Sequence, residues 1–245
     1  MRFKRFLPIL AGIGMFIILG LPGCTVRQDA VIKADGSGTL QFNMSLMPFF
    51  VETIQDAADA FGAQDMVKQG RIFDLNQIKA DFAKKKSVVL TRVASPAPDK
   101  LEGELSFSNI EKVFQDEKEL AQTGVVKFSS EGNKKTLSVS LNKSNIKQLT
   151  ALFPVLSNPF FEMFMPQENE KITDAEYLEM IDFAFGAKGT PGVQASFIEL
   201  KVTVKGTILS QSGGKQQGNT VTFSIPLLRV LLLDKPLEYS IVFTG

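Results

Sequence analysis

The sequence predicts an α+β fold, a single domain with a largely antiparallel sheet and packed helices, behind a cleaved N-terminal signal. Three observations carry that expectation. Apolar residues recur at period two near both ends of the chain, at Leu40, Phe42, Met44 and Leu46, and again over Phe197 to Val204 and Thr220 to Ile225. Period two marks strands with one buried face. Between these ends the apolar spacing turns helical, and strands set apart from helices in this way indicate segregated layers. No long Pro/Gly/Ser linker divides the chain, so one domain fits better than two.

The first segment is not part of that domain. Arg2, Lys4 and Arg5 form a cationic start, and Phe6 to Leu21 is an uncharged apolar run. The run is short for a membrane-spanning helix, which needs about 20 apolar residues. Its length and flanks suit the core of a secretory signal. The ending Leu21-Pro22-Gly23-Cys24 resembles the lipobox of bacterial lipoproteins. That resemblance implies a diacylglyceryl group on the Cys24 thiol and cleavage just before it. The competing reading is an uncleaved membrane helix with a cysteine at its edge. Cys24 is the chain's only cysteine, and its place at this one position favours the lipobox. Stable anchoring takes two acyl signals, and a diacylglyceryl cysteine supplies both. The expected organisation is therefore a signal peptide over 1–23, a lipidated tether over 24–28, and the α+β domain over 29–245.

Within the domain, Ala30-Val31-Ile32 and the alternating 40–46 run flank Asp35-Gly36, which reads as a β-hairpin. Pro48 suits the first turn of a helix carrying Phe50, Ile54 and Phe61. Asp74 is placed to cap a second helix with Leu75, Ile78 and Phe82 on one face and Lys84 to Lys86 in its last turn. Val88 to Val93 and Leu101 to Phe107 read as strands. Ser108 or Asn109 caps a charged helix reaching Leu120. Val125 to Ser130 and Lys134 to Leu141, joined by Glu131-Gly132-Asn133, form a second hairpin. Asp174 to Phe185 is an amphipathic helix with Tyr177, Leu178, Ile181 and Phe185 inward, followed by a loop over Gly186 to Gly192. Phe197 to Val204 and Thr220 to Ile225 flank a glycine-rich run that reads as a hairpin tip, and Leu237 to Phe243 is a last strand. The hairpin over 29–46 and the strands after Phe197 are expected to share one sheet.

Composition excludes several function classes. Cleavage before Cys24 leaves 222 of the 245 residues, with 24 Lys+Arg against 26 Asp+Glu once the three leading cations are gone. A domain so nearly neutral is not built to hold nucleic acid. A lone cysteine forms no intramolecular disulfide, so the fold rests on its core. There is no histidine, which removes histidine-based nucleophile pairs and the commonest zinc ligand. Glu168, Glu170, Asp174, Glu176, Glu179 and Asp182 are the densest acidic group. A carboxylate pair could hydrolyse glycosides, but a solvated helix start explains the cluster more simply. Asp35-Gly36-Ser37-Gly38 lacks the further ligands of a calcium loop, and Gly213 to Gly218 lacks the spacing of a phosphate loop. No metal site and no cofactor is expected.

The stretch Leu149 to Met165 is the most apolar, with Pro154 and Pro159 breaking its helical spacing. Its rings point around the axis rather than along one stripe. Such a segment is either deep core or the lining of an apolar contact. Phe153, Phe160, Phe161, Phe164 and Met165 are the candidate ligand-binding residues on the second reading.

The order of segments is similar to the LppM-like lipoprotein domain. The resemblance rests on the lipobox cysteine, Ala34-Asp35-Gly36-Ser37-Gly38, Leu101-Glu102-Gly103 with Phe107-Ser108-Asn109-Ile110, and Lys201 to Gly206 with Gly218 to Phe223. It implies an extracytoplasmic α+β domain and transfers no catalytic residue. Members of that family often continue into a C-terminal transmembrane helix, whereas this sequence stops at Gly245. On that comparison the lipid is the sole anchor. The expected function is a non-enzymatic envelope lipoprotein, exported and facing the periplasm or the cell exterior. It would bind an apolar ligand or lipid. Alternatives are an assembly factor that docks another envelope protein and, last, a carboxylate hydrolase.

Overall fold

The computed structural model describes residues 24–49, 51–52, 55, 72–151, 164–165 and 172–245. They form an α+β domain whose two mostly antiparallel sheets share one apolar core. The first sheet begins with β1 (Cys24–Ile32) and β2 (Gly38–Leu46), paired antiparallel from Cys24 opposite Leu46 to Ile32 opposite Gly38. The expected turn closes this hairpin. Gly36 takes φ 82°, a left-handed conformation that suits glycine, and Asp35 Oδ1 accepts from Ser37 N at 2.9 Å. A hydrogen bond with the Ser37 side chain, followed by this one from its backbone amide, holds the Asp35 carboxyl below its ordinary range.

The tether expected over 24–28 is strand instead. Cys24 is the first residue of β1, and Cys24, Val26, Gln28, Ala30 and Ile32 all face inward. β1 thus includes Cys24, five residues before the expected start of the domain. Pairing with β2 throughout, and with the later strand Phe197–Val204 from Val26 onward, satisfies the backbone of these residues, which outweighs the polar side chains of Arg27 and Gln28.

After helical residues at 48–49, α1 (Leu75–Phe82) starts on Asp74, whose side chain accepts from the Asn76 and Gln77 amides. It ends before Lys84, so the three lysines lie beyond the helix rather than in its last turn. Strands β3 (Val88–Ala94) and β4 (Lys100–Phe107) extend the first sheet. Asn109 caps α2 (Ile110–Asp116), and α3 (Lys118–Thr123) follows after a break at Glu117. Then come β5 (Val126–Glu131), β6 (Lys134–Leu141) and α4 (Lys143–Ala151).

Helix α5 (Asp174–Phe185) opens on a capping box between Thr173 and Glu176. The loop expected after it is helical: a short 3₁₀ turn leads into α6 (Gly189–Ala195). Pro191 is tolerated there because the first turn of a helix needs no amide donor from it.

Strand β7 (Phe197–Val204) runs parallel to β1, and β10 (Thr220–Pro226) pairs antiparallel with β7. The segment between them is more than a hairpin tip. β8 (Ile208–Ser212) joins the second sheet and β9 (Lys215–Gln217) joins the first, so this segment stitches the two together. A side chain on Gly214 would meet Val221 and Phe223, which is why the crossing is glycine. Helix α7 (Leu227–Leu232) and β11 (Leu237–Thr244) complete the chain. The first sheet has the order β3-β4-β2-β1-β7-β10-β9 and the second β5-β6-β11-β8. The expected common sheet therefore holds for β1, β2, β7 and β10, while β11 belongs to the second sheet.

The sheets are tied together. Phe223 and Tyr239 meet edge to face at 5.7 Å, and Lys135 Nζ donates to Ala34 O. Each fully buried Leu, Ile or Phe contributes about 1.5–3 kcal/mol, so this shared core is the main source of stability. Among the described residues no helix is long and apolar enough to cross a membrane.

Candidate functional site

Cys24 is fully buried at the end of β1, opposite Leu46. Burial pushes its thiol from an ordinary 9.0 up to about 12. A thiolate is the reactive form of cysteine, so the folded domain holds this residue inert at neutral pH.

Four residues along the same face lies a group that the sequence reading missed. Gln28 is 2% exposed, and neither its Nε2 nor its Oε1 meets a hydrogen-bond partner among the described residues. Its Cα neighbours in the adjoining strands are Phe42 and Leu200, and Val26 and Ala30 flank it along β1. All four are buried and apolar. An amide sealed in such surroundings without a partner costs about 1–3 kcal/mol by mutational measures. The signal was present in the sequence: Gln28 falls on the inward phase of Cys24, Val26, Ala30 and Ile32. It went unread because the strand was started at Ala30.

Of the residues expected to bind an apolar ligand, Phe153, Phe160 and Phe161 lie outside the described residues. Phe164 is 1% exposed and meets the ring of Phe185 at 5.1 Å, while Phe185 meets Phe49 at 5.3 Å. Tyr177 Oη donates to the Phe164 carbonyl at 2.8 Å, and Met165 packs half-buried against the core. The structure thus places Phe164 inside a cluster of rings rather than on an open face.

Of the described acidic residues of the 168–182 group, Glu179 is exposed and the other three are held by partners. Asp174 pairs with Arg229, Glu176 accepts from Thr173 N at 2.8 Å, and Asp182 accepts from Thr190 N at 3.0 Å. Hydrogen bonds from Thr173 hold the exposed Glu176 carboxyl below its ordinary range. Among the described residues no group of three or more Cys, Asp or Glu side chains converges as a metal site would.

A groove of about 630 Å³ lies elsewhere, between α2 and β5. Phe114 and Phe128 stack in parallel along it, with centroids 6.1 Å apart. Strand residues 126–130 supply one wall.

No family model and no curated protein matches the chain. Among solved structures, the chain is similar to the NMR structure of the folded domain of the Mycobacterium tuberculosis LppM protein. The identity is 10%, the TM-score 0.42, and the match covers 91% of this chain and 90% of the other. A match at this level transfers no residue role to the present chain.

Proposed function

We propose that the chain is a lipid-anchored, non-enzymatic lipoprotein of the bacterial cell envelope, held to a membrane through Cys24, whose interior binds an apolar ligand through the buried side-chain amide of Gln28. The observation that carries the binding reading is Gln28. A primary amide offers two donors and an acceptor. A carbonyl, carboxyl or hydroxyl at the end of a lipid-like molecule matches it, and an apolar body suits the surrounding side chains. Pockets of this kind pair mostly apolar walls with a few placed polar groups. No cofactor is involved, and the reading assigns no reaction.

The anchor reading rests on the residues before Cys24 and carries an order of events. A thiol buried at the end of β1 cannot accept a diacylglyceryl group, so modification precedes docking of that strand. Once acylated, Cys24 cannot take its buried place opposite Leu46, so the lipidated first residue of β1 stays outside the sheet and holds the domain against the bilayer surface.

The test is extraction of the protein purified from its native membrane, with mass spectrometry of the organic phase. A stoichiometric lipid from the parent protein, absent from a Gln28→Leu variant that still carries lipid on Cys24, is the expected result. Equal recovery from both, or none from the parent, contradicts the reading.

A further inference from the structure

The groove between α2 and β5 has an unusual wall. It is lined by five consecutive residues of β5, 126–130. Alternate residues of a strand face opposite sides, so a groove lined by consecutive ones runs along the strand's edge. β5 is indeed the outer strand of the second sheet. Ser140 N donates to Val125 O at 2.8 Å, which fixes the hydrogen-bonded pairs with β6 at residues 125, 127 and 129. The amides and carbonyls of Val126, Phe128 and Ser130 therefore face the groove. They have no partner among the described residues.

Edge strands are commonly blunted by prolines, bulges or unmatched charge. β5 has neither a proline nor a bulge in its register with β6. It has charges of opposite sign four residues apart, Lys127 and Glu131, both exposed and on the same face. Neither makes an ion pair among the described residues, although Glu131 stands opposite Lys134 in the register.

We propose that β5 is a self-pairing edge, and that the groove takes β5 of a second copy of this chain. An antiparallel pair centred on Ser129 is self-complementary. It places Phe128 opposite Ser130 of the partner subunit, where the free backbone groups of both strands meet. Lys127 then stands opposite Glu131 of the partner subunit, and the reverse, so the charge that blunts the edge toward other strands selects this register. The two Phe128 side chains fall on the diagonal, about 7–8 Å apart, within reach of aromatic rings. Each is already stacked on its own Phe114. The result is an isologous two-fold interface and one continuous eight-stranded sheet.

The register gives a sharp test on the full-length, lipidated protein in its membrane. The two Ser129 residues meet across the two-fold in a non-hydrogen-bonded pair, with Cα atoms about 4.5 Å apart, within the span of a disulfide. Cys24 is either acylated or buried and takes no part. Under mild oxidation Ser129→Cys is expected to yield at least tenfold more covalent dimer than Ser130→Cys, whose two copies face Phe128 instead. Adding Lys127→Glu should abolish that yield by setting like charges opposite each other, and adding Glu131→Lys as well should restore it. Equal yields at 129 and 130, or indifference to the charge change, overturns the proposal. A crosslink from position 129 to a different protein also overturns it and assigns the edge to that partner.

Discussion

Tyr177 donates its hydroxyl to the backbone carbonyl of Phe164 at 2.8 Å, and both residues are buried. Burial raises the Tyr177 hydroxyl far above its ordinary range, so it remains a donor throughout physiological pH. Removing it with Tyr177→Phe leaves a buried carbonyl without this donor and should cost about 1–3 kcal/mol in chemical denaturation. Phe164→Ala should cost about 3–5 kcal/mol, because the ring is enclosed by core on the described side. A loss below about 1 kcal/mol would mean that space already lies open beside it.

Lys85 and Glu117 form a second buried relationship, at 2.6 Å, with the Glu117 side chain 4% exposed. It joins the end of α1 to the break between α2 and α3. Lys85→Met strands a buried carboxylate and should lower stability by about 3–5 kcal/mol. The pair Lys85→Met with Glu117→Leu should recover most of that loss, since two apolar side chains of similar size carry no such penalty. Thermal or urea unfolding of the three variants checks both statements.

The fold was legible where one element has one periodicity. The 40–46 alternation, the Asp74 and Asn109 caps and the 131–133 turn each found the expected place, because capping and turn chemistry act over a few residues. What the sequence hid is long-range. β1 is strand from Cys24 because β2 pairs with it out to Leu46, and β7, more than 170 residues later, lies parallel to it from Val26 onward. β8 and β9 divide between the sheets for the same reason, since only the partner strands decide which sheet each joins. At the site, Gln28 looked like a surface residue until its strand phase was known. The glycines and Pro191 of α6 suggested a loop, and packing against Ile181 and Phe49 overrode that propensity.

The thiol of Cys24 gives a pH prediction for the unlipidated protein. Its folded value is raised above that of the unfolded chain, from 9.0 to about 12. The unfolded state therefore loses its proton first, and stability is fully present below pH 9 and falls as pH rises toward 12. A Cys24→Ala variant should lack this part of the alkaline loss. A thiol reagent at neutral pH should leave folded Cys24 unmodified and label it fully in denaturant. Rapid labelling of the folded protein would show an accessible thiol.

Lipidation itself is checked by metabolic labelling with palmitate. The parent should carry label and migrate as the cleaved form, and Cys24→Ala should carry none and retain residues 1–23. Label surviving in that variant would remove the anchor from the account.

At Gln28 a buried amide without a partner among the described residues costs stability that a ligand would offset. The most direct measurement is a paired one on lipid-stripped protein: urea denaturation and titration with cis-parinaric acid, for the parent and for Gln28→Leu. The variant is expected to be more stable than the empty parent, by about 1–3 kcal/mol, and to bind the fatty acid at least tenfold more weakly. A variant that is less stable than the parent and binds the probe equally well would contradict this expectation.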